Sequence, residues 1–251
     1  MIGQLVALGF ALVGAVAFAL YGLRYREQLS VRHNFPVFDS LDDEVGRAAE
    51  EGTLLHITLG NGALTGESAM TSVAALEGLT ALSDLAAAYD TPPIITTGNP
   101  TLYLLADDWM RRAYTRLGRV ERYHPTLVQF TASSAVTYAA MAATYLYEKG
   151  IGSNIMLGAF EQEVSLLTEA AARRGIYTVG AAVSPAALGA LYPALGPRRL
   201  VIGEELFAGG AEVTQNTMYQ AGLKGQDLLR WLVAAGIILM AIFSFLELGV
   251  G

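Results

Sequence analysis

The chain has 251 residues, 53% of them hydrophobic and 16% charged, with a formal net charge of -7. That acidic balance argues against nucleic acid as a partner, which wants a basic face, and gives no general attraction to anionic lipid. Setting aside about 25 residues at each end leaves about 200, enough for one well-buried domain.

The first predicted element is an apolar segment over residues 5–23, which holds no charged side chain. At about 1.5 Å per residue it approaches the roughly 30 Å of hydrocarbon in a bilayer. It reads as a retained anchor, with a cleaved signal peptide as the competing reading. Ala17-Phe18-Ala19 resembles a cleavage site, but no basic residue precedes the run and it is long. Gly3, Ala7, Ala11, Ala15 and Ala19 recur every four residues, a small-residue face that a second helix can approach. Four residues overshoot a helical turn, so only two or three of them share one contact.

Residues 27–39, with Asn34-Phe35-Pro36, read as a loose connection. Six short apolar runs then alternate with helical patterns, at residues 53–59, 93–97, 126–131, 154–157, 176–181 and 199–202. Runs such as Leu54-Leu55-His56-Ile57-Thr58-Leu59 are largely apolar rather than strictly alternating, as strands covered on both faces should be. The segment 67–89 places Met70, Val73, Leu76, Leu79, Leu82, Leu85 and Tyr89 on an apolar stripe. Ser184-Pro185 opens a helix, and Arg173-Arg174-Gly175 closes one. Parallel strands need right-handed crossovers, so the expected fold class is α/β, a doubly wound, mostly parallel six-stranded Rossmann-like sheet. Transmembrane helices are expected to flank it at both ends.

The last predicted element is a second apolar segment over residues 231–248. Its uncharged stretch reaches full length if Arg230 snorkels at one end and Glu247 sits at the other interface; Trp231 suits an interfacial position. An amphipathic helix on the membrane, or a buried helix of the domain, is the other reading. Arg24, Arg26 and Arg32 follow the first segment, and Lys224 and Arg230 precede the second. The positive-inside tendency then makes the middle domain cytoplasmic. The expected division is residues 1–26, anchor and basic flank; 27–227, the α/β domain; and 228–251, the second anchor.

In an open α/β sheet, ligands bind beyond the carboxyl ends of the strands. The first such loop holds Gly60, Asn61, Gly62, Thr65 and Gly66, in a Gly-x-Gly-x-x-x-Gly spacing close to a dinucleotide fingerprint. The second strand ends at Thr97-Gly98-Asn99, without the acidic side chain that grips a ribose. The glycines then read either as a nucleotide cradle or as a tight turn packed under its helix. Ser133 or Ser134 is expected to cap the next helix. Glu161, Glu204 and Glu205 are the carboxylates at strand ends, and regular strand geometry would point Glu204 and Glu205 to opposite faces. His56 lies inside a strand and reads as a satisfied core histidine. Three scattered histidines give no metal signature. Arg111 and Arg112 head a basic cluster with Arg116, Arg119 and Arg122, a solvated face or a contact for headgroups or an acidic partner.

Leu59-Gly60-Asn61-Gly62-Ala63-Leu64-Thr65-Gly66, Asp90-Thr91-Pro92-Pro93-Ile94 and residues 202–211, beginning Ile202-Gly203-Glu204-Glu205, carry a further observation. Over about residues 54–213 the chain resembles an uncharacterised bacterial family catalogued as a membrane-associated domain of unknown function. The resemblance implies a shared fold and supplies no reaction. The expected function is a non-catalytic binding or assembly module anchored in the bilayer, in a homo-oligomer or with other membrane subunits, without metal or cofactor. The alternative is a membrane-tethered enzyme or sensor that binds a nucleotide-like or small anionic ligand at the Gly60 loop, assisted by Glu204 or Glu205.

Overall fold

Each of the six apolar runs forms one strand of a single sheet: β1 (Leu54–Gly60), β2 (Ile94–Thr97), β3 (Val128–Phe130), β4 (Ile151–Ala159), β5 (Tyr177–Ala182) and β6 (Leu200–Ile202). The structure is a computed structural model that describes residues 16, 36–148, 150–203, 205–207 and 230–238. These fall in two compact units, His33–Thr214 and a second formed by Met1–Arg32 with Gln215–Gly251. The sheet belongs to the first. Its strand order is β3-β2-β1-β4-β5-β6, and every neighbouring pair is parallel. The chain therefore winds outward from β1 to β3, then crosses back to lay β4 on the free side of β1. The strand order reverses between β1 and β4, where a doubly wound sheet opens its crevice.

Helices cover both faces, burying apolar side chains on the first and a mixture of apolar and hydrogen-bonded polar side chains on the second. α1 (Pro36–Glu51), α2 (Ala69–Ala88) and α3 (Pro100–Arg116) bury Val45, Leu79 and Met110 against Leu55, Ile57, Leu59 and Ile95. α4 (Ala135–Tyr147), α5 (Val164–Arg174) and α6 (Pro185–Leu195) bury Ala142, Leu167 and Leu191 against Met156 and Ala182. The two-residue period of β1 divides the faces: Leu55, Ile57 and Leu59 point to the first, His56 and Thr58 to the second. Each fully buried leucine or isoleucine contributes on the order of 1.5–3 kcal/mol.

Four expectations need correction. The loose connection over 27–39 overlaps α1, because Pro36 fits the first helical turn and Val37, Leu41, Val45 and Ala48 continue as a buried stripe. On α2 the stripe holds only in its middle. Met70, Val73 and Tyr89 are exposed, while Ser72, Ala75, Ser83 and Ala86 are buried, since a helix lying close on a sheet selects small side chains. β4 begins three residues before Asn154. Gly152 is not a breaker there; a Cβ at that position would lie 2.4 Å from Thr53 Oγ1, so it is glycine for close approach to the neighbouring chain. Ser134 holds the N-cap position of α4 with an extended backbone but makes no side-chain cap bond.

Among the described residues no helix is long and apolar enough to cross a membrane. The predicted span over 5–23 lies outside them except for Val16, as do Gly3, Ala7, Ala11, Ala15 and Ala19. The predicted segment over 231–248 is described only at residues 231–238, which are helical and expose Trp231, Ile237 and Ile238.

Candidate functional site at the strand-order reversal

The crevice begins where β1 and β4 end, and the chain's own atoms occupy it. Gly60 ends β1 at φ +74° and is still paired to Ala159; a Cβ there would lie 2.4 Å from the Ala159 carbonyl oxygen. Gly158, at φ +130°, faces the Leu59 carbonyl oxygen, which would lie 2.1 Å from its Cβ. Both glycines exist because two strand ends approach each other closely. Gly62 is buried, with Ser72 Oγ 2.5 Å and the Ala159 methyl 2.7 Å from its Cβ position. In a dinucleotide loop the corresponding space admits a pyrophosphate. Here it holds a serine and an alanine.

Three backbone donors of this loop are also engaged. Gly60 N–H donates to the Tyr138 phenol oxygen at 3.1 Å, Asn61 N–H to the Ala159 carbonyl at 3.2 Å, and Ala63 N–H to Ser68 Oγ at 2.9 Å. The Asn61 side chain crosses the mouth of the crevice, donating from Nδ2 to the Ser133 carbonyl at 2.9 Å. Gly98 lies beneath it: a Cβ there would lie 2.4 Å from Asn61 Oδ1. Gly98 N–H and Thr97 Oγ1 both donate to the Gly60 carbonyl, at 3.0 and 3.3 Å. The ends of β1, β2 and β4 and the loop after β3 are thus bonded into one surface.

Other predicted site residues have structural partners. Asn99 caps α3, its Oδ1 accepting from the Thr101 and Leu102 amides at 2.9 and 3.3 Å. Glu161 accepts from Ser184 Oγ at 3.1 Å, while buried Glu163, which sequence reasoning passed over, accepts from the Glu161 amide at 3.0 Å. Thr65 and Gly66 are exposed on the outer part of the loop. β6 ends at Ile202, so the alternating strand geometry expected for Glu204 and Glu205 does not apply: Glu205 turns back to accept from the Ile202 amide at 3.3 Å, and Glu204 lies outside the described residues. Ser133 contributes its carbonyl rather than its hydroxyl to the bonds at the crevice. The basic cluster is paired with acids. Arg111 and Arg112 share Asp108 at 2.8 and 2.6 Å, Arg116 meets Asp84, and Arg122 meets Asp90. The Arg111 guanidinium holds the Asp108 carboxyl below its ordinary value.

Beneath the loop, on the second face of the sheet, runs a row of buried polar side chains. His56 Nδ1 lies 2.8 Å from Asn154 Oδ1 and its Nε2 3.0 Å from Thr96 Oγ1. The Thr96 and Thr58 hydroxyl oxygens lie 3.1 Å apart, and Thr58 bonds the Tyr138 phenol, which receives Gly60 N–H. Burial pushes the imidazole down to about 4, partly opposed by its bond to Asn154, so His56 is neutral near pH 7. Burial likewise raises the Tyr138 phenol, which stays protonated. Tyr145 stacks on the imidazole at 6.2 Å and 10°. His56 is a satisfied core histidine, as its strand position implies. Tyr138 is the residue that sequence reading missed, because its partners lie 78 and 80 positions away in the chain. Among the described residues no three or more acids and histidines stand together as a metal site.

The comparison with curated proteins finds no match, and neither does the comparison with solved structures. A family model described as Domain of unknown function (DUF6754) matches residues 3–250. With nearly its whole length covered, the chain belongs to the DUF6754 family.

Proposed function

We propose that this protein is a membrane-anchored, non-catalytic assembly module. Its α/β domain stands at the cytoplasmic face of a bacterial inner membrane, in a homo-oligomer or with other membrane subunits. One observation carries the reading: the place where a doubly wound sheet takes its ligand is filled from within. Gly60, Asn61 and Ala63 spend their amide protons on the protein, and Gly62 faces Ser72 and Ala159 rather than open space. A fold that spends these three loop amides on itself and fills the space beside Gly62 keeps the rigid sheet and gives up the pocket. Its outer surfaces then carry the function. The uncharged end segments over 5–23 and 231–246 support the anchoring.

A second reading, a small anionic ligand at the Gly60 loop in a membrane-tethered enzyme or sensor, is favoured by one detail. Ser72 Oγ is buried without a hydrogen-bond partner beside Gly62, in the first turns of α2. Thermal unfolding of the intact chain in mild detergent, with and without nucleotides, sugar nucleotides and inorganic phosphate, separates the two. The assembly reading expects an unchanged midpoint with every compound. A concentration-dependent rise that disappears in Ser72→Ala supports the ligand reading instead.

A further inference from the structure

The two faces of the sheet are covered by helices of opposite electrical character. On the first face, α1, α2 and α3 carry ten carboxylates against four arginines. On the second, α4 and α6 carry no charged residue, and α5 carries one carboxylate and two arginines near its carboxyl end. A solvent-facing helix ordinarily sets charge opposite its buried stripe. α4 instead turns Val136 and Met141 outward, 63% and 44% exposed, with Tyr147 further along; Leu166 on α5 and Tyr192 on α6 are also exposed. Their inner sides are filled by Tyr138, Ala142, Leu167 and Leu191, so these outward residues are surplus to the core.

We propose that the α4–α5–α6 face is a two-fold interface with a second copy of this chain, a proposal that rests on the assembly reading. Charge selects the occupant. The chain's net charge is -7 and its first-face helices hold most of that excess, so joining two first faces would set carboxylates against carboxylates. The second face is nearly uncharged and can meet itself, as an isologous contact requires. An anionic bilayer, by contrast, is drawn to cations, and Arg173 is already paired with Glu169 at 2.7 Å. The size also fits. Three helices of 11–13 residues are about 17–20 Å long. Set about 10 Å apart, they present roughly 500 Å² in projection, and the accessible area of such a ridged face approaches the ~800 Å² per partner of a specific complex.

The chain has no cysteine, so a single introduced thiol reports on one contact. Met141→Cys, Leu166→Cys and the first-face control Leu104→Cys are expressed as full chains and oxidised with copper phenanthroline in native membranes. A disulfide-linked dimer on a non-reducing gel from Met141→Cys or Leu166→Cys, and none from Leu104→Cys, is the expected result. In mild detergent, Met141→Glu is expected to halve the particle mass while Leu104→Glu leaves it unchanged. No dimer from either second-face thiol, or equal yields from all three, overturns the proposal. So does a second-face thiol that is shielded from a water-soluble maleimide yet never cross-links, which assigns the cover to lipid or another protein. Alkaline carbonate washing of the same membranes reads the anchoring separately: a retained chain without cross-links sinks the interface alone, and a released chain sinks the anchoring.

Discussion

The phenol of Tyr138 on α4 receives the amide proton of Gly60 at the end of β1, across 78 positions of sequence. The same phenol bonds Thr58 and so ends the buried row that starts at Asn154 and passes through His56 and Thr96. Removing that oxygen with Tyr138→Phe leaves a buried hydroxyl and a backbone donor short of a partner. A loss of about 1–3 kcal/mol is expected, read from the urea midpoint of the intact chain in detergent. An unchanged midpoint would mean that the row does not hold the loop.

The stability of the fold should depend on pH through His56. The imidazole binds its proton less tightly in the folded chain, at about 4, than in the unfolded one, at its ordinary 6.5. Above pH 6.5 both forms are neutral and the residue adds no slope. As pH falls from 6.5 toward 4 the unfolded chain takes up a proton that the folded site refuses, and stability drops, levelling off below about 4 after a loss of up to about 3 kcal/mol. Urea midpoints across this range should show the loss, and His56→Gln should remove it. A slope that survives in the variant belongs to other groups.

Two glycine substitutions should act in opposite directions. Gly158→Ala drives a Cβ against the Leu59 carbonyl at a positive φ and is expected to cost about 2–4 kcal/mol. Gly189 lies inside α6 with nothing within 4 Å of its Cβ position, and Gly189→Ala is expected to gain about 0.5–1 kcal/mol. Thermal denaturation of both variants checks the pair; equal effects would contradict the close approach at the strand ends.

Helix caps divide in the same way. Asn99→Ala and Ser184→Ala each remove a side-chain oxygen that accepts helix amides, at a cost of about 1 kcal/mol. Ser134 makes no cap bond, so Ser134→Ala should stay within about 0.5 kcal/mol of the parent. A Ser134 effect as large as that of Asn99 would show a cap that forms in solution.

The strands were legible because each is a short apolar run between turn residues, and the parallel order follows from the helices that separate them. The Ser184 neighbourhood was legible too, since proline directly after a capping side chain marks a helix start; Asn99-Pro100 carries the same signal, but Asn99, at a strand end, reads as a ligand residue. What sequence could not supply was the third dimension of the crevice. Gly60, Gly62 and Gly66 have the spacing of a ligand loop whether the space beside Gly62 is open or holds Ala159, a residue 97 positions later. α1 was hidden by Asn34-Phe35-Pro36, which reads as a break when proline instead occupies a first turn. The Tyr138 contact lay beyond any local pattern, and the uncharged character of α4 gained meaning only once α6 was found on the same face.

The mass of the particle released by mild detergent from carbonate-washed native membranes tests the central claim most directly. The chain is 26.6 kDa. The account predicts that it remains with the washed membranes and comes off in a particle of at least two chains, alone or with other membrane subunits. A single 26.6 kDa chain in that extract, or its loss to the carbonate wash, would contradict it.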